Sequence, residues 1–185
     1  MSNASHSIEN QSQLQLINSE AELVRKMESF YDDPLGFVIY SFPWGEGILK
    51  GEDGPDTWQV EVLETIRNEI RLRASDEALQ TAIRMAVVSG HGIGKTALIS
   101  WILLWFISTR PNPQIVCTAN TFTQLSGKTW RELAKWHKLA INSHWFEWTA
   151  KKFYMKESVE TWFASAVPWS RNKSEAFAGT HEKHV

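Results

Sequence analysis

Ser89-Gly90-His91-Gly92-Ile93-Gly94-Lys95-Thr96 decides the reading of this chain. The stretch fits G-x-x-x-x-G-K-[ST] at every position but the first, where Ser89 stands in place of glycine. Gly90, Gly92 and Gly94 let the backbone turn tightly with its N–H groups facing inward, and the positive end of a following helix deepens that anion nest. The ammonium of Lys95 is spaced to reach β- and γ-phosphates, and the hydroxyl of Thr96 to ligate Mg²⁺. The expected cradle is therefore Ser89, Gly90, His91, Gly92, Ile93 and Gly94, with Lys95 and Thr96 carrying the chemistry. The plain alternative is a glycine-rich turn that fits the pattern by chance, and the flanking elements decide between them.

Working outward, residues 85–89 form a short run with Val87 and Val88 that reads as a strand entering the loop. Residues 95–108 read as a helix apolar on every side, through Leu98, Ile99, Trp101, Ile102, Leu103, Leu104, Trp105 and Phe106. Such a helix suits burial beneath a sheet. Arg110-Pro111-Asn112-Pro113 stops it, and residues 114–120 read as a second strand parallel to the first, completing a β-α-β unit. Beyond it, 122–141 reads as an amphipathic helix with Phe122, Leu125, Leu133, Trp136 and Ala140 on one face. Residues 145–155 and 161–167 read as two strands joined at 156–160. On the amino-terminal side Asp56 and Gln59 have capping-box spacing before a helix through Arg73, with Val62, Leu63, Ile66 and Ile70 as its stripe. Residues 35–44 read as extended, 19–30 as a short helix ended by Asp33-Pro34, and 1–18 as a flexible polar tail.

Composition agrees with one soluble domain over residues 19–185. The chain has 185 residues, 43% hydrophobic and 22% charged, with a formal charge of -2, which excludes disordered, collagenous and supercharged classes. The charge is uneven: residues 1–109 hold 8 Lys+Arg against 15 Asp+Glu, and residues 110–185 hold 11 against 6. An anionic partner is expected to meet the second half. Lys151, Lys152 and Lys156 interleave there with Trp148, Phe153 and Tyr154. That pattern reads as a DNA-facing strand surface or, in an ordinary hairpin, as lysines outward and aromatics inward. Cys117 is the sole cysteine, so no internal disulfide forms; it reads as a packing residue in a reducing cytoplasm, with no secretory signal. The apolar run 97–107 spans about 16 Å as a helix, about half a bilayer's hydrocarbon thickness, so no membrane span is expected. His181-Glu182-Lys183-His184 lacks the spacing of a metal site.

A phosphate loop of this kind is ordinarily followed by an apolar strand ending in Asp or Asp-Glu, which holds Mg²⁺ and polarises the attacking water. All five aspartates (Asp32, Asp33, Asp53, Asp56, Asp76) precede Lys95, and no later glutamate follows a long apolar strand. The expectation is half of a nucleotide-hydrolysing centre, with the acidic strand lying beyond Val185. A partner's acid or a degenerate site are the alternatives.

Four stretches, in order, resemble the large terminase subunit of tailed phages and prophages. They are Gly54-Pro55-Asp56-Thr57-Trp58-Gln59; Val88 through Thr96; Thr118-Ala119-Asn120-Thr121 with Gln124 and Lys128-Thr129-Trp130; and Val167-Pro168-Trp169-Ser170 followed by Glu175-Ala176-Phe177-Ala178-Gly179-Thr180-His181. The resemblance covers most of residues 35–185. It implies the amino-terminal part of an ATPase that packages viral DNA into a procapsid in the bacterial host cytoplasm. The implied fold is α/β, a three-layer P-loop NTPase core of RecA-like type, cut short before the acidic Walker B strand. The implied cofactors are ATP and Mg²⁺; the implied partners are double-stranded DNA, a small terminase subunit and the portal, with no membrane, and the motor is expected to oligomerise. Gln59 matches the family's adenine-contacting glutamine with Trp58 nearby, while the residues themselves read equally as a helix cap and a core tryptophan. Thr118, Asn120 and Gln124 fall where related motors couple strand ends to DNA. Gly90-His91 occupies the place of a γ-phosphate-sensing arginine. Two other readings stand beside this one: a helicase-type DNA motor, and a nucleotide-binding remnant or regulator without turnover.

Overall fold

The computed structural model describes residues 2–76, 81–88, 90, 92–119 and 121–168, with backbone alone for 2–14 and 122. Four longer helices precede the first strand: α1 (Ser2–Glu28), α2 (Pro34–Ser41), α3 (Thr57–Ser75) and α4 (Lys95–Thr109). After β1 (Gln114–Ala119) a helical stretch runs from α5 (Phe122–Gln124) through a π-helical turn, Leu125–Trp130, into α6 (Arg131–Leu139). β2 (Phe146–Trp148), β3 (Lys152–Met155) and β4 (Phe163–Pro168) follow. They form one mixed four-stranded sheet of order β1-β4-β3-β2. β1 and β4 are parallel, in register from Gln114 opposite Phe163 to Ala119 opposite Pro168, and the other pairs are antiparallel. The chain is thus a mixed α/β protein.

Several sequence expectations change. Residues 82–88 form no strand, so the β-α-β unit around the phosphate loop is not built; the parallel partner of β1 is β4. A strand needs a partner in register. β4 joins one edge of β1, braced by the β2–β3 hairpin, while the 82–88 segment lies along the groove beside α3 and α4, with Ile83, Met85 and Val87 on its lining. Residues 35–44 are not extended. Asp33 caps α2, its Oδ1 accepting the Gly36 N–H at 3.1 Å, and Pro34 occupies the first turn, where its missing N–H costs nothing. Asp33-Pro34 therefore starts a helix. α1 begins at Ser2, within the stretch read as a tail. The strand expected over 145–155 breaks at Thr149, whose N–H donates to the Lys152 carbonyl at 2.8 Å and closes the β2–β3 turn.

α4 is the centre of the fold. Leu98, Trp101, Leu103, Leu104, Trp105 and Ile107 are buried, whereas Ile99 is exposed and Ile102 and Phe106 half-buried, so this apolar helix is covered on most of its sides and not on all. It packs against α1, α2, α6 and β4. Around Trp101 four aromatic rings close on one another: Phe42 to Trp136 at 4.9 Å, Trp101 to Trp136 at 4.9 Å, and Trp44 to both tryptophans at 5.7 Å. Tryptophan indoles also tie elements together by donating to backbone carbonyls: Trp105 to Phe30 at 2.7 Å, Trp162 to Ile107 at 2.8 Å, and Trp130 to Thr149 at 2.6 Å. Each such pair combines a large buried surface with a satisfied donor. At the carboxyl end of α4 the Arg110 guanidinium lies 4.2–4.3 Å from the rings of Trp105, Tyr31 and Phe106. Burial lowers its pKa to about 10, partly offset by the Tyr31 side chain, and the Tyr31 carbonyl accepts from Nη2 at 2.9 Å.

In the hairpin Phe146 and Phe153 turn inward while Lys151 and Lys156 lie outside, as the alternation predicts. Lys152 stacks its ammonium over the Phe163 ring at 4.3 Å, and Trp148 is partly exposed. Cys117 on β1 is mostly enclosed, and burial pushes its thiol up to about 11, as befits a packing residue. Among the described residues no helix is long and apolar enough to cross a membrane.

Candidate functional site

The capping signal that begins α3 also leads to the site. Asp56 is its N-cap, and the Gln59 Oε1 accepts the Asp56 N–H at 2.8 Å. The other end of the same amide crosses 35 positions of sequence. Gln59 Nε2 donates to the Gly94 carbonyl at 3.1 Å. Gln59 is 3% exposed, so this amide is buried between two helix starts.

Gly94 is the N-cap of α4, in left-handed backbone at φ 84° and ψ 12°. Its carbonyl also accepts the Leu98 N–H at 3.0 Å, the first bond of the helix. Two features make glycine necessary here. The positive φ disfavours any Cβ, and a Cβ would meet Gln59 Nε2 at 2.8 Å. Gly92 also has positive φ, at 79°, with open space where a Cβ would stand. The loop thus turns through two left-handed glycines into the amino end of a 15-residue helix, whose first N–H groups have no partner within the helix. Lys95 folds back across the loop, its Nζ donating to the Gly90 carbonyl. The ammonium of Lys95 and the first N–H groups of a helix are thus placed together, and both are donors of the kind an anion accepts from.

Of the expected cradle residues, the structure brings Gly90, Gly92, Ile93, Gly94, Lys95 and Thr96 together; Ser89 and His91 lie outside the described residues. Thr96 sits in the first turn of α4, where a hydroxyl can meet a cation carried by bound phosphate. Gly90 and Gly92 leave open space above the turn, which suits a phosphate approaching the backbone closely. Among the described residues no three His, Cys, Asp or Glu side chains cluster to hold a metal ion.

No family model matches the chain, and no curated protein or solved structure does either. The residues alone therefore carry the functional argument. Trp58 packs against the core, its indole N–H buried without a hydrogen-bond partner among the described residues. Thr118 is exposed near the end of β1, and Gln124 is exposed at the end of α5. Neither is hydrogen-bonded to the loop among the described residues. Asn120, Trp169, Ser170, the stretch 175–181 and His181-Glu182-Lys183-His184 lie outside the described residues.

Beside the loop a groove of about 960 Å³ runs between α3 and α4, bounded by the 81–88 segment. Ile66, Ile70, Ile99 and Ile102 line its walls, with Lys95 and Arg110 also on its lining. Ile99 is 46% exposed and Val88 98% exposed, so this is the side of α4 that the chain leaves least covered.

Sequence reading missed the bond from Gln59 to Gly94. The capping-box spacing shows why an amide belongs at 59, but nothing local points to a partner 35 residues away. The aromatic seat of Arg110 was missed for the same reason: Tyr31 lies 79 positions earlier in the chain.

Proposed function

We propose that this chain binds the triphosphate of ATP, with Mg²⁺, in the loop from Gly90 to Thr96, as the amino-terminal part of a DNA-packaging motor of the terminase large-subunit type. The observation that carries the reading is the loop itself: two left-handed glycines lead into the start of α4, and Lys95 closes over the Gly90 carbonyl. On binding, Lys95 exchanges that carbonyl for phosphate oxygens, and the amino end of α4 faces the remaining negative charge. Thr96 would share Mg²⁺ with the phosphates, the ion supplying charge neutralisation between them. The assignment to a packaging motor rests on the four stretches that resemble the terminase large subunit. Double-stranded DNA, a small subunit and the portal come with it as proposed partners.

Turnover is a separate matter. The acids that follow Lys95 among the described residues are Glu132 on α6, Glu147 on β2, and Glu157 and Glu160 between β3 and β4. None ends an apolar strand, and Glu132 is engaged with the Trp136 indole at 2.9 Å and with Lys135 at 3.2 Å. This favours a second reading, nucleotide binding without hydrolysis by this chain. A DNA-stimulated ATPase assay with a Lys95→Ala control separates the two. Binding with almost no turnover is the expected result. Robust hydrolysis abolished by Lys95→Ala would show a complete motor centre and overturn the second reading.

A further inference from the structure

We propose that Gln59 is a positioning residue of the phosphate loop, holding the Gly94 carbonyl so that the first N–H groups of α4 face the bound phosphates. This rests on the triphosphate-binding reading above. It differs from a contact to the nucleobase, because the Gln59 amide is engaged at both ends inside the protein. Its Oε1 accepts the Asp56 N–H at 2.8 Å and its Nε2 donates to the Gly94 carbonyl at 3.1 Å. The chemistry fixes which end points where. A flipped amide would set NH₂ against an N–H and oxygen against a carbonyl, so the donor must face Gly94. At 3% exposure there is little room for a base to compete for either end.

The consequence for the loop follows from what Gly94 does. Its peptide is the hinge between the left-handed turn and α4, and its carbonyl accepts both Leu98 N–H and Gln59 Nε2. A carbonyl oxygen has two lone pairs, and both are used here. With the carbonyl pinned from outside the helix, the peptide plane and the direction of the following N–H groups are pinned too. The capping box that starts α3 thereby sets the geometry of the loop that starts α4. Phosphate binding then meets a cradle already arranged, without the entropic cost of ordering it.

Gln59→Glu replaces the donor with a charged acceptor, and Gln59→Ala is its uncharged control. The new side chain keeps an oxygen for the Asp56 N–H but turns a second oxygen towards the Gly94 carbonyl. Calorimetry with ATP, GTP and inorganic tripolyphosphate at pH 8 is expected to show all three weakened by the same factor, about tenfold for one lost buried hydrogen bond of roughly 1.4 kcal/mol. The ratio of variant to wild-type affinity should recover as pH falls towards 5, because a protonated carboxyl regains a donor. Weakened ATP binding with unchanged tripolyphosphate binding would overturn the proposal in favour of a base contact, as would equal affinities for all three ligands in variant and wild type. Amide exchange of the free protein separates this proposal from the reading it rests on. Gln59→Glu should speed exchange at Leu98 while leaving Leu133 on α6 unchanged. Faster exchange at Leu98 in Gln59→Glu, together with no triphosphate binding by the wild type, would keep the tether and refute the phosphate site; unchanged exchange refutes the tether. Gln59→Ala, which removes both bonds without adding a charge, should show the same selective exchange, and its absence there would also count against the tether.

Discussion

The two sides of α4 are built on different principles. Towards α2 and α6 the helix is sealed by Phe42, Trp44, Trp101 and Trp136, with ring centroids 4.9–6.4 Å apart. Towards the glycine-rich loop it faces a groove bounded by residues 81–88, and among the described residues the loop is tied by the Gln59 amide and the Lys95 ammonium. The first side stabilises by area and shape, where many contacts each contribute little. The second is held by a few directed polar bonds whose loss changes geometry more than stability. The fold and the site are therefore separable by mutation, and the comparison can be broken or sharpened by asking which side each change damages.

The largest expected effect lies away from the loop, in the tryptophan-rich body that adjoins the sealed side. Trp130 is fully buried and its indole donates to Thr149, so Trp130→Ala should cost about 3–5 kcal/mol in chemical denaturation, with loss of the native near-ultraviolet signal. If the protein tolerates this change with less than about 1 kcal/mol lost, the aromatic body is not what holds the fold. Gly94→Ala comes next. A Cβ there faces both a φ of 84° and the Gln59 amide, and about 1–2 kcal/mol of stability should be lost together with most triphosphate affinity. Equal loss of stability in the two variants would erase the distinction between the sides.

Acid should also act away from the loop, where the His137 ring packs against Phe153 of β3. Burial lowers the His137 pKa, opposed by its bond to the Ser143 carbonyl at 2.9 Å and reinforced by Lys156 and Lys138. A histidine whose folded pKa lies below its unfolded value takes up its proton first in the unfolded chain. Stability is therefore complete above about pH 6.5 and falls as pH drops from there to the folded pKa. Thermal unfolding should show a larger drop between pH 7 and pH 5 in the wild type than in a His137→Gln protein. The smallest effect is chemical. With its thiol raised to about 11, Cys117 should react with iodoacetamide at pH 8 far more slowly in the native protein than in denaturant, and equal rates would mean β1 is more open than described.

Much of the site was legible because it is local. The glycine spacing, Lys95 and Thr96 sit within eight residues, and the capping box of Asp56 and Gln59 within four. α3 follows from its capping box and apolar stripe, and α4 from a run of apolar residues that leaves no polar face. What was not legible depends on which distant segments meet. Val87 and Val88 have strand chemistry, yet the 82–88 segment borders the groove beside α3 and α4, and β1 pairs with β4, which β3 braces from its other edge. Residues 35–44 carry apolar and aromatic side chains that read as extended, and the Asp33 cap, Pro34 in the first turn and the burial of Phe37 and Val38 make residues 34–41 the helix α2. The Gln59 amide shows both cases at once: its bond to Asp56 is written in the spacing, and its bond to Gly94 emerges only when two helix starts meet.

The central claim is that the loop from Gly90 to Thr96 is a triphosphate cradle closed by Lys95. Isothermal calorimetry of the chain with Mg²⁺ and ATP, beside a Lys95→Ala protein of matched thermal stability, tests it most directly. Saturable binding in the wild type that disappears in Lys95→Ala is the result predicted here. Equal binding by both proteins, or none by the wild type, would contradict it.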